Sequence, residues 1–173
     1  PHLESTYAVD PARRYLLGHS PGALPSWYAA FRHDPDAGPP LFAGVVAADN
    51  GYSERLFTYE RWHHERAADL PMKIFASHAD FNGAVQHVTF DAMIERLRGR
   101  QHPGLTLETE VFETDHGGAV APSYEHGLAL LLGGDDGINR LLDRLGRRGK
   151  PLLLRGAVDA RRGREADDLA GGA

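Results

Sequence analysis

The sequence contains no cysteine, which removes disulfides, thiolate metal sites and cysteine nucleophiles and leaves the redox setting open. It also lacks any apolar run near the roughly 18 to 20 residues needed to span a bilayer, and its first residues show neither the basic nor the apolar region of a signal peptide. Surplus positive charge is missing too. Nineteen Lys and Arg against 24 Asp and Glu give a formal net charge of -5, which argues against a nucleic-acid or membrane partner held by charge. What remains is a mildly acidic chain of 173 residues, 42% of them hydrophobic, enough to bury one ordinary core. A cytoplasmic setting is the default expectation, since no targeting segment is visible, although the chain begins at Pro1 rather than at a methionine.

Apolar runs and helical periodicities alternate along the chain. Strands are expected at Arg14 to Leu17, Leu41 to Ala47, Lys73 to Ala76 and Leu105 to Phe112, the last nearer an edge because its apolar residues alternate with polar ones. Helices are expected from Gly22 to about Arg32, from Tyr52 to Ala68, through Val85, Val88, Met93 and Leu97, and from Val120 to Leu132. Asp34 to Pro40 and His102-Pro103-Gly104 read as loops. The pattern predicts an α/β fold with a mostly parallel sheet of about four strands over residues 1–133. Residues 134–173 are expected to form one short amphipathic helix, through Ile138, Leu141, Leu142 and Leu145, and then a mobile tail from Arg147.

One motif carries chemistry. Gly18-His19-Ser20-Pro21-Gly22 matches the Gly-X-Ser-X-Gly nucleophile elbow, in which a strand turns sharply into a helix and lifts the serine above the sheet. Serine alone is a poor nucleophile; it needs a histidine to take its proton and a carboxylate to orient that histidine. Ligands collect at the C-terminal ends of parallel strands, and the order Ser, Asp or Glu, His is available there. Ser20 follows the first strand, Asp80 the third and His116, in Asp115-His116-Gly117-Gly118, the fourth. Asp80 is therefore the expected acid, with Asp91 and Asp115 as alternatives; Asp115 is disfavoured because adjacent side chains on an extended segment point apart. An N-cap serine at Ser20, followed by proline at the first helical position, is the plain structural reading of the same residues.

Several pieces together resemble the esterase-D-like, enterochelin-esterase type of α/β-hydrolase, specifically its C-terminal part, over about residues 1–133. They are Tyr7-Ala8-Val9-Asp10-Pro11 with Arg14, the elbow, Asp69-Leu70-Pro71-Met72-Lys73-Ile74-Phe75, and Val111-Phe112-Glu113 leading into Asp115-His116-Gly117. The resemblance implies hydrolysis of a small-molecule carboxylic ester, with Ser20 as nucleophile, His116 as base and Asp80 where the family places its acid, and no cofactor or metal.

Two departures bear on that expectation. Family members usually carry a large residue after the serine and a glycine in place of Ala23. Here Pro21 has no N–H to give an oxyanion, and it disfavours positive φ at Ser20. Losing one oxyanion donor typically costs about 10² to 10³ in rate. Only 17 residues precede Gly18, so the upstream loop that gives the other donor is expected to be missing, leaving the first strand as an exposed edge open to pairing. The expected activity is accordingly weak. A non-catalytic α/β-hydrolase remnant or binding module is the alternative, and a metal-dependent hydrolase built on His78, Asp80 and His116 is a distant third, without a recognisable zinc-ligand spacing.

Overall fold

The structure is a computed structural model that describes residues 5–7, 9–49, 54–134, 137 and 140. The chain divides into two compact units, Pro1–Leu131 and Leu132–Ala173. Apart from Arg140, the expected helix at 138–145 and the tail from Arg147 lie outside the described residues.

The first unit is built on four parallel strands in the order of the chain: β1 (Tyr15–His19), β2 (Gly44–Ala48), β3 (Lys73–Ala79) and β4 (Thr106–Phe112). Between them run α1 (Ala23–Phe31), α2 (Glu54–Arg66) and α3 (Ala84–Arg100), and α4 (Val120–Leu132) follows β4. The chain therefore has the α/β fold that its patterning predicts, with β1 and β4 at the two edges. Compared with the expected Arg14 to Leu17, β1 runs on to His19, because Gly18 and His19 still pair with Ala47 and Ala48.

The period of two along each strand sorts side chains onto two faces. Val45 and Ala47 of β2, and Ile74 and Ala76 of β3, meet Trp27 and Phe31 of α1, Leu56 of α2, and Phe90, Met93 and Leu97 of α3 in one core. Val46 and Ala48, with Phe75, face the other way and pack with Leu131 and Tyr124 of α4. α4 comes very close to the sheet. A Cβ at Gly127 would stand 2.4 Å from Val46 Cγ2, so only glycine permits that approach. Ser77 and Ser123 satisfy one another across the same contact, Oγ to Oγ at 2.7 Å.

On the other face a charged group is buried. The Glu60 carboxylate of α2, with no exposed surface, accepts from Arg96 Nη1 at 3.1 Å and Arg100 Nε at 3.0 Å, both on α3. Two cations on one buried anion tie α2 to α3. Removing the cations strands the anion, whereas removing the whole cluster does not. Arg96→Met/Arg100→Met is thus expected to lose about 3–5 kcal/mol in urea unfolding, and adding Glu60→Leu to restore most of it. Equal stability of the double and triple variants would contradict this assignment.

Burial also sets a pH dependence. His63 lies at the end of α2 with Nε2 donating to the Asp69 carbonyl at 3.1 Å, its ring close to that of His102, and burial pushes its pKa below the usual 6.5. His78 on β3 is lowered for the same reason. Above pH 6.5 both histidines are neutral in the folded and unfolded chain alike, and neither favours one state over the other. As pH falls through 6.5 the unfolded chain takes up protons first, so stability drops. Urea midpoints are expected to fall between pH 7.5 and 5.5, and His63→Phe to flatten that fall.

Candidate active site

The site forms where the strands end. β1 stops at His19, and Ser20–Gly22 make a single 3-10 turn that feeds α1. Ser20 has φ of 56°, a left-handed conformation that costs a non-glycine residue about 1–3 kcal/mol. Pro21 disfavours that conformation, and the turn adopts it nonetheless. The turn is tight enough that a Cβ on Gly18 would lie 1.9 Å from the Gly22 carbonyl oxygen, which is why the first glycine of the motif is needed. The second is different: Gly22 has ordinary helical angles, φ -69° and ψ -21°, with nothing within 4 Å of a Cβ.

Across the strand ends, Ser20 Oγ lies 2.7 Å from His116 Nε2, and His116 Nδ1 lies 2.6 Å from Asp49 Oδ2. An ionised carboxylate can only accept, so Nδ1 carries the proton and Nε2 is free to accept from the serine hydroxyl. His116 is half exposed while the Asp49 side chain is wholly buried. The loop holding His116 is stiffened by Asp115, whose Oδ1 accepts from Gly118 N at 2.7 Å. His19 adds a second hold, with Nε2 donating to the His116 carbonyl at 3.0 Å and ring centroids 4.5 Å apart.

Of the three residues expected from the sequence, Ser20 and His116 come together and Asp80 does not. Register explains why. Ala48, the last residue of β2, pairs with Ser77, and β3 continues through His78 and Ala79 before Asp80 is reached. Asp49 therefore leaves the sheet at the level of His78, and Asp80 begins two residues, roughly 6.6 Å, further along. Asp80 is exposed; its N–H donates to the Phe112 carbonyl at 2.8 Å, and its own carbonyl accepts from His87 Nε2 at 3.0 Å. Asp91 is exposed on α3, and Asp115 serves its own turn.

Asp49, missed in the sequence, was signalled by the same rule that picked out Asp80: it directly follows a wholly apolar strand at the C-terminal edge. It too has a positive φ, 46°. Asn82 was missed as well. Its Nδ2 donates to Asp49 Oδ1 at 2.5 Å, beside the Ala79 N–H at 2.9 Å.

Among the described residues, His19, Asp49 and His116 form a group offering metal-ligand atoms within 4.8 Å of one another. Their atoms are already committed, His116 Nδ1 to Asp49 and His19 Nε2 to a carbonyl. The trio His78, Asp80 and His116 does not form such a group among those residues. A cleft of about 840 Å³ lies at the opposite edge, lined by Arg14, Ala43 and Pro71, which precede β1, β2 and β3, so it is remote from Ser20.

These features define an α/β protein with a hydrogen-bonded Ser-His-Asp run at the C-terminal edge of a parallel sheet. Among solved structures the chain is similar to BES protein from Bacillus cereus, with a TM-score of 0.63 and 17% identity over 76% of this chain. That likeness covers 49% of the other chain, so the present chain spans about half its length. No protein-family model and no curated protein matches the sequence.

The two elbow glycines give a direct check. Gly18→Ala is expected to force the turn open and cost about 3 kcal/mol, with loss of the Ser20–His116 contact, while Gly22→Ala is neutral or stabilises by up to about 1 kcal/mol. Equal melting temperatures for the two variants would contradict the described turn.

Proposed function

We propose that this chain is a serine-dependent carboxylic-ester hydrolase working through an acyl-enzyme. The observation that carries the reading is the run Ser20 Oγ, His116 Nε2, His116 Nδ1, Asp49 Oδ2, at 2.7 and 2.6 Å, on a serine held in a strand-to-helix elbow. The resemblance of the elbow and of the histidine loop to esterase-D-like hydrolases supports an ester as the substrate class.

In this mechanism Ser20 Oγ attacks the acyl carbon as its proton passes to His116 Nε2, and Asp49 stabilises the resulting imidazolium. The tetrahedral intermediate collapses, the alcohol leaves with the proton from Nε2, and the acyl group stays on Ser20. Water then gives its proton to His116 and attacks the ester, releasing the acid and restoring the serine. Pro21 limits the rate, because the N–H that would follow the nucleophile does not exist.

That missing donor also favours a second reading, a non-catalytic relative that keeps the geometry without the turnover. Hydrolysis of p-nitrophenyl acetate separates the two. Expected is a slow rate abolished by Ser20→Ala, reduced by about 10⁴ in Asp49→Asn through the wrong histidine tautomer, and unchanged in Asp80→Asn. Pro21→Leu, which restores a backbone donor, is expected to raise the rate about 10² to 10³. A wild-type rate that survives Ser20→Ala would overturn the esterase reading; no Ser20-dependent rate even in Pro21→Leu would favour the non-catalytic one.

A further inference from the structure

The Asp49 carboxylate has a fourth neighbour. Oδ2 is taken by His116, and Oδ1 accepts from Ala79 N and Asn82 Nδ2 and also lies 3.2 Å from Nδ1 of His78. His78 has no exposed surface, and neither of its ring nitrogens has a hydrogen-bond partner among the described residues. Its ring stacks on Phe90 at 5.4 Å and meets His87 edge-on at 4.3 Å, both residues of α3. A phenylalanine would fill that slot equally well, and burying a polar ring without a partner is costly. What distinguishes an imidazole here is the carboxylate beside it.

We propose that His78 is a positioning residue for Asp49: a neutral, buried imidazole with its proton on Nδ1, which lies 3.2 Å from Oδ1 outside hydrogen-bond geometry and sets a positive dipole beside the carboxylate that holds His116. This rests on the reading of Ser20, His116 and Asp49 given above. Beside an anion the ring dipole is favourable only when the nearer nitrogen carries the proton, and a neutral ring adds that dipole without adding charge. Register puts the two groups together, since Asp49 N donates to the Ser77 carbonyl at 3.0 Å and His78 is the next residue. Burial lowers the pKa of His78 and outweighs the opposing pull of Asp49, Asp91 and Asp80, with His87 adding to the lowering, so the ring stays neutral at pH 7.

The deciding measurement needs no turnover. Long-range proton–nitrogen NMR of protein labelled with 15N-histidine reads the tautomer of each ring, and the Nδ1 proton shared by His116 and Asp49 gives its own downfield signal. His78 is expected to be neutral with Nδ1 protonated. His78→Phe should shift or broaden the His116 signal, and His78→Asn, which puts an N–H close to the position of Nδ1, should restore it. In ester hydrolysis the same pair should show kcat lowered about tenfold with KM unchanged, and then recovered. A proton on Nε2 of His78 in the wild type, or an unaltered His116 signal in folded His78→Phe, overturns the proposal. Should His78→Phe fail to fold, the wild-type tautomer decides alone. Absence of any Ser20-dependent turnover would count against the esterase reading and leave the NMR result to judge His78.

Discussion

A carboxylate with no exposed surface, Asp49, is held at the end of β2 by donors from two later segments: Ala79 N at the end of β3 with Asn82 Nδ2 just past it, and His116 Nδ1 beyond β4. Taking a carboxylate out of water is expensive unless it is hydrogen-bonded, and here three donors meet it. That requirement joins three strand ends into one unit. The β3 loop cannot move without stripping donors from Asp49, and the His116 loop cannot move without releasing Ser20. The geometry at the serine is thus set by an anion one strand away.

Ser20 stands in a second conflict. The elbow needs positive φ, and the following proline disfavours it; the strand pairing of Gly18 and His19 on one side and the start of α1 on the other hold the turn in place. Strain of about 1–3 kcal/mol is sustained only where the surroundings over-determine the position, as the close approach of Gly22 O to Gly18 indicates. On the proposed reading, Ser20, His116 and Asp49 supply proton transfer and orientation, while Pro21 offers no N–H to an oxyanion. A chain with this imbalance is expected to be acylated slowly rather than to be inert.

Much of this was legible in the sequence. The alternation of apolar runs with helical periodicities gives the parallel sheet, because the central strands β2 and β3 are buried on both faces by flanking helices, and the elbow and the histidine loop stand out through their glycines. The acid did not stand out. Asp80 and Asp49 both follow apolar strands, and what separates them is how far β3 overruns β2, a matter of register that composition does not encode. His78 was unreadable for a similar reason: its significance comes from a carboxylate 29 residues earlier that pairing sets beside it. Long-range register, rather than local pattern, decides which titratable groups meet.

On the proposed reading, Asp49 acts through His116 to make Ser20 nucleophilic. Covalent labelling by a fluorophosphonate, with the modified peptide identified by mass spectrometry, tests it without requiring turnover. Label is expected on Ser20 in the wild type and in Asp80→Asn, and is expected to be lost in Asp49→Asn. Equal labelling of Ser20 in Asp49→Asn, or label lost in Asp80→Asn instead, would contradict it.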